Sequence, residues 1–311
     1  MMNQEFYVAA KLLFNYFIFP GLLFLVLAGM LVSWIDRKVT ARLQWRVGPP
    51  FLQPFYDIRK LFIKETIVPA QGNSLLFVFS PVISLLAIVL IANIIILTWM
   101  NPSSSFVGDM IVILYLFTLP PLTSILGAFA SRNPLATLGA SREIKLVLSY
   151  ELPFIISMLV PIVKTHSISL GQIIAVQQSS GSFIGTFSGF LAFIIAAICL
   201  QGKLGLVPFD VAEAETELAA GLQIEYSGPL LALWKLSRMI MLVVGPLFLV
   251  MAFWAGGNPY TIVAKYAAAL VLTIVIRNTN PRLRIDQVLK FFWGPVSVMS
   301  VLILLLALRG Y

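Results

Sequence analysis

Eight apolar runs, each near the length of a bilayer crossing, decide what this chain can fold into. They fall at approximately 14–35, 75–98, 110–131, 146–163, 183–203, 229–254, 260–276 and 289–308 of the 311 residues. Crossing about 30 Å of hydrocarbon takes about 20 mostly apolar residues in a helix. Lipid offers no partner to an open backbone amide, so each run must satisfy its own N–H and C=O groups, and none shows the polar–apolar alternation of a barrel strand. The fourth and seventh runs are shorter or more polar than the rest. The expectation is an all-α polytopic membrane protein, one integral membrane domain over 1–311 with about eight transmembrane helices. Composition agrees, with 59% of residues hydrophobic and 11% charged, against about a quarter charged in globular domains. The first run, from Lys11 to Val32, is longer than a signal-peptide core and lacks a small-residue cleavage pattern, so it is expected to remain as a span.

The basic residues behind the net charge of +8 gather in alternate connections. The first holds Arg37, Lys38, Arg42, Arg46, Arg59, Lys60 and Lys64, the third Arg132, Arg142 and Lys145, the fifth Lys203, and the seventh Arg277, Arg282, Arg284 and Lys290. The second and sixth hold no lysine or arginine, and the fourth only Lys164. Such alternation is membrane topology and not a nucleic-acid footprint. It predicts a multi-pass cell-membrane protein with odd-numbered connections in the cytoplasm and both termini outside. One cysteine (Cys199) and one histidine (His166) exclude a disulfide framework, an intrachain Cys/His zinc site and an iron–sulfur cluster held by this chain alone, since such metal sites take about four ligands. No cofactor is assigned to this chain, and any redox metal belongs to a partner.

In the first connection (36–74), Leu52, Phe55, Tyr56, Ile58, Leu61, Phe62 and Ile63 recur near helical spacing among Asp57, Arg59, Lys60, Lys64 and Glu65. The pattern predicts an amphipathic helix in the cytoplasmic interface in preference to a solvated hairpin. A second cytoplasmic-side segment, 204–228, gathers five of the thirteen acids: Asp210, Glu213, Glu215, Glu217 and Glu225. Pro208 suits the first turn of a helix that Gly221 can end, and acids early in a helix are favoured by its dipole. In such a helix Asp210, Glu213 and Glu217 share a face, and Glu215 points elsewhere. A partly buried row of like charges has coupled titrations and can pass protons. An acidic first turn standing in water is the plainer alternative, and the apolar flanks weigh against it.

In "GASREIKLVLSYELPF" (139–154), Arg142, Glu143 and Lys145 read as an interfacial charge cluster. Glu151 instead enters the fourth run just before Pro153, where a carboxylate pairs with a cation or holds a proton. Pro153 and Pro161 free backbone carbonyls and leave room for water. Lys265, inside the seventh run, either snorkels or pairs with a buried acid; Arg142 and Lys235 are further candidate charge partners. Asp109 is expected to end an outer loop, and His166 is read as a loop residue. No P-loop, GxGxxG, HExxH, cysteine pair or Ser/His/Asp set is present, so no catalytic residue is assigned.

Three stretches, "LQPFYDIRKLFIKE" (52–65), "GASREIKLVLSYE" (139–151) and "VPFDVAEAETELAAGLQIEYSG" (207–228), resemble a family of respiratory complex I membrane proteins whose mitochondrial member is subunit 1. They also resemble its relatives in energy-converting membrane-bound nickel–iron hydrogenases and related sulfur-reducing complexes. The resemblance runs along nearly the whole chain. It implies an anchor at the heel of a membrane arm, between peripheral hydrogenase-like large and small iron–sulfur subunits and antiporter-like membrane subunits. The iron–sulfur clusters and a nickel–iron centre would then lie in those partners. It also implies a proton path through Glu143, Glu151, Asp210, Glu213, Glu215, Glu217 and Glu225, and a peripheral-arm interface at Arg37, Lys38, Arg42, Arg46, Asp57, Lys60, Lys64 and Glu65. In "RVGPPFLQPFYD" only Pro50 and Phe51 separate the Arg-x-Gly-Pro and Leu-Gln-Pro elements. That shortening resembles the ferredoxin-dependent hydrogenase branch more than quinone-reducing members, whose longer connection helps form a quinone tunnel. A sulfur-reducing paralogue or a quinone-reducing enzyme keeps the same fold and role. A standalone cation transporter is the alternative of another class, and the lack of a two-half hydropathy repeat counts against it.

Overall fold

The computed structural model describes residues 2–212, 219 and 221–310. Glu213, Glu215 and Glu217 lie outside the described residues. Among those described, all regular structure is helical, and seven stretches are long and apolar enough to cross a membrane. The first, Ala10–Leu43, joins the end of α1 (Met2–Phe17) to α2 (Leu22–Leu43) through a break containing Pro20. The second is α4 (Ser74–Met100), following the interfacial α3 (Gln53–Ile63). The third is split into α5 (Asp109–Leu116) and α6 (Leu119–Ala130), with Pro120 and Pro121 in the first turn of the second piece. Then come α7 (Pro134–Thr165), the short α8 (Leu170–Ser180) and α9 (Phe187–Lys203). Crossings α10 (Gly228–Phe253) and α11 (Pro259–Thr279) follow, and α12 (Ile285–Phe291) continues through one π turn into α13 (Ser297–Leu308). Pro295 lies in that turn and supplies no N–H to an α-helical ladder.

The expected count of about eight is close, but the lengths differ from expectation. The fourth crossing is the longest helix, 32 residues, and starts at Pro134 and not at 146. The Asn133 side chain accepts the Leu135 N–H at 2.8 Å and Pro134 takes the first turn, so Arg142, Glu143 and Lys145 ride on the helix. The short element is the fifth, α9, with 17 residues. Asp109 stands where the connection ends and α5 begins, and it is buried and accepts the Leu170 N–H at the start of α8 at 2.6 Å.

Helix α10 is the central post. It packs on α2, α3, α4, α9 and α11, and nearly all its residues are buried. The amphipathic pattern of the first connection becomes α3, whose Pro54, Ile58 and Leu61 form the buried stripe, while Lys64 and Glu65 follow its end. Proline inside α4 shows how these helices stay satisfied. Pro81 cannot donate to the Phe77 carbonyl, and the Tyr226 hydroxyl donates to it instead at 3.1 Å, with the two rings stacked at 4.1 Å. Burial pushes the Tyr226 hydroxyl up to about 12, which keeps it a donor. Only a glycine fits opposite, because a Cβ on Gly127 would run into that hydroxyl.

Helix α2 ends in a Schellman turn. Trp45 N–H donates to Arg42 O at 3.2 Å and Arg46 N–H to Ala41 O at 2.9 Å. The position between them is left-handed and is normally glycine; here it is Trp45, with φ of 56°. A side chain in that conformation costs roughly 1–2 kcal/mol.

A candidate ion path between the basic loops and the bundle core

The acidic connection is shaped by α9's exit. Gly205, with φ of 60°, turns the chain out of the helix after Lys203, and residues 206–212 form turns closed by Leu206 N–H to Gln201 O at 3.1 Å and Phe209 N–H to Leu206 O at 2.9 Å. Pro208 therefore does not open a helix. Its carbonyl accepts the Leu283 N–H at 3.1 Å, which ties the turn to the connection after α11. Asp210 is placed by this turn and binds Arg282 at 2.9 Å.

Two cavities meet here. The inner one, about 80 Å³, is lined by Glu143, Lys203, Asp210, Ser84, Ser237 and Arg238, among others. The outer one, about 380 Å³, is lined by Asp36, Arg37, Asp210, Arg238, Arg277 and Arg282, among others. Asp210 and Arg238 belong to both walls and stand at the partition. Arg238 and Asp210 are also the charges closest in effect to Glu143. In the outer cavity Asp36 pairs with Arg277 at 2.6 Å.

Deeper in, Glu151 has a cation. Lys203, the last residue of α9, places its Nζ 2.5 Å from Glu151 Oε2, with the lysine side chain only 1% exposed. The same Nζ sits 4.8 Å from the Phe154 ring centroid and 5.2 Å from that of Tyr150. Phe154 and Glu151 lie on one face of α7, and Gly202 lets α9 approach, since a Cβ there would lie 2.8 Å from Tyr150 Cδ1. Lys203 thus touches both the inner cavity and Glu151.

At the basic end Arg37 pairs with Asp57 at 2.8 Å, and Gln53 donates to the same carboxylate at 2.9 Å. Burial would raise the Asp57 pKa, but these hydrogen bonds and the Arg37 charge hold it below the usual carboxylate value. Arg42, Arg46, Lys60, Lys64 and Glu65 are exposed and Lys38 half-buried. Glu225 lies apart from both cavities and accepts from Asn133 Nδ2 at 2.5 Å. Arg142 is half-buried on α7, and Lys235 is exposed on α10 and near enough to act on Asp57. Lys265 reaches back past the start of α11 to the connection before it, donating to Trp254 O at 3.0 Å and to Gly256 O and lying over the Trp254 ring, with no ion pair to an acid among the described residues.

The residues missed by sequence reasoning are Asp36, Lys203, Arg238, Arg277 and Arg282. Arg238 carried a usable signal, an arginine inside an apolar crossing. Lys203 and Arg277 sit in the last turns of α9 and α11, Arg282 in the connection after α11 and Asp36 just past the first apolar run, where a charge reads as ordinary topology.

The family model described as NADH dehydrogenase matches residues 17–308. Among solved structures, the chain is similar to one from "Structure of the membrane-bound sulfane sulfur reductase (MBS), an archaeal respiratory membrane complex". The TM-score is 0.84 at 28% identity, over 92% of this chain and 96% of that one. With the paired charges, the polytopic bundle and a match along almost its full length, the chain belongs to the NADH dehydrogenase family, of the type whose mitochondrial member is complex I subunit 1, and is a membrane subunit of a complex I-like respiratory complex.

Proposed function

We propose that this chain is the membrane anchor and energy-coupling subunit of its complex, linking electron transfer in a docked peripheral arm to proton or sodium movement in antiporter-like neighbours. The observation that carries this is a set of ionisable side chains gathered around two adjoining cavities: Asp36 paired with Arg277 and Asp210 paired with Arg282 on the outer one, Asp210 and Arg238 on both, and Glu143 and Lys203 on the inner one, with Lys203 paired to Glu151. Ser84 Oγ and Ser237 Oγ, on the inner cavity wall, are buried without a partner among the described residues. A cavity of about 80 Å³ exceeds the roughly 10–15 Å³ needed by one water. Glu213, Glu215 and Glu217 join the same row on the family resemblance.

Electron transfer in partner subunits that hold the iron–sulfur clusters changes charge or contacts at the basic end, taken as cytoplasmic. The row responds by moving protons, and a tenfold change in one group's proton affinity corresponds to about 1.4 kcal/mol of coupling. Similarity to a chain of a sulfane sulfur reductase supports sulfur reduction as the terminal chemistry over a ferredoxin-dependent hydrogenase with nickel–iron. Nickel content with hydrogen evolution, against polysulfide reduction without nickel, decides between them in the purified native complex. The coupling role is tested by replacing Glu151, Glu213 and Glu217 singly with Gln in the intact complex. The expected result is lost ion uptake by inverted vesicles with electron transfer retained; full coupling in all three variants overturns the proposal.

A further inference from the structure

The outer cavity presents guanidinium and tucks its carboxylates away. Arg37 from α2, Arg238 from α10, Arg277 from α11 and Arg282 from the connection after it line the wall together with Asp36 and Asp210. The side chains of Asp36 and Asp210 are only 12% and 16% exposed, whereas those of their partners Arg277 and Arg282 are 35% and 46% exposed. Arg37 and Arg238 are accessible as well. We propose that this cavity is a binding site for a phosphate group, carried by a phospholipid head or by a soluble phosphate. The inference goes beyond the coupling role and does not depend on it, because the binding chemistry lies in the lining alone.

Charge selects an anion. Four arginines face two aspartates on the lining, and the balance stays positive when Asp57, which meets Arg37 from outside the lining, is counted. An uncharged ligand would leave that excess in place. Donor geometry selects phosphate. Arg37, Arg277 and Arg282 each meet their carboxylate through one guanidinium nitrogen, and a guanidinium carries five N–H donors in a planar fork that matches phosphate oxygens two at a time. The ion pairs therefore orient the forks and leave donors over. Space permits the ligand. The cavity of about 380 Å³ falls among ligand sites of roughly 300–1,000 Å³, and Leu206 and Leu242 on the same wall offer an esterified phosphate an apolar contact.

The test uses the intact complex, washed in detergent, and equilibrium dialysis of radiolabelled orthophosphate. Saturable binding is expected. Arg282→Gln removes one guanidinium and releases Asp210 toward the cavity, so affinity should fall about tenfold or more. Asp36→Asn removes a carboxylate that competes for Arg277, so affinity should rise about threefold, a gain that a damaged fold does not produce. No saturable binding by the unaltered complex, equal affinity in all three proteins, or a fall in both variants overturns the inference. Competition then reads the source. Displacement of the label by dioctanoyl phosphatidylglycerol at far lower concentration than by glycerol phosphate supports a lipid head, similar displacement by both supports a soluble phosphate, and displacement by neither overturns the site.

Discussion

Two ion pairs of nearly equal length sit in different surroundings, Lys203–Glu151 beside the inner cavity and Arg37–Asp57 beside the outer one. Lys203–Glu151 spans 2.5 Å with side chains 1% and 19% exposed, and Arg37–Asp57 spans 2.8 Å with side chains 39% and 31% exposed. Distance alone would rank them together, but their surroundings separate them. The inner lysine is packed against Phe154 and Tyr150 with its side chain 1% exposed, so losing either partner strands a largely buried charge. The outer pair stands in a screened, wet environment where either member regains hydration. The inner pair is therefore costly to break, and the outer one is easily rearranged.

The largest expected effect is on the inner pair. Lys203→Met should destabilise the protein by about 3–5 kcal/mol, and the double variant with Glu151→Gln should recover much of that loss. Equilibrium unfolding in mixed micelles measures both; strictly additive losses would erase the distinction between the two pairs. Gly202→Ala sharpens the same point without touching a charge. Its Cβ would stand 2.8 Å from Tyr150 Cδ1, and displacing the ring that covers Lys203 should cost about 1–3 kcal/mol in the same assay. A silent substitution would show that the aromatic cover is soft.

The smallest effect belongs to the outer pair. Burial would raise the Asp57 pKa, yet the Arg37 and Gln53 hydrogen bonds outweigh it and leave the value lowered from 3.8. A lowered folded pKa means stability that is present at neutral pH and lost as pH falls through the folded value. Asp57→Asn should cost less than about 1 kcal/mol at pH 7, and the gap to the native protein should close in acid below that value. A gap that stays constant with pH would assign the effect to packing instead of charge.

Much of this architecture was legible from residue order. The apolar runs marked the crossings, and Leu52 to Ile63 marked α3. Misreadings occurred where a local signal had a nonlocal competitor. Pro208 suited a helix start, but its carbonyl is taken by Leu283 and Asp210 by Arg282, both from a distant connection. Lys265 left two readings open in the sequence, snorkelling or an acid partner, and the carbonyls of Trp254 and Gly256 after α10 are what it meets.

What residue order by itself determined was the set of helices and the end of the bundle that carries the positive charge. Lipid forces each crossing to close its own backbone hydrogen bonds, so about twenty apolar residues in a row suffice to specify it. Tertiary structure alone decided which charges meet. Glu151 and Lys203 are 52 residues apart and Asp36 and Arg277 are 241 apart, separations that no helical periodicity encodes. Those meetings depend on helix packing around α10 and on how closely Gly202 lets α9 approach α7, and they gather ionisable residues scattered along the sequence around two adjoining cavities.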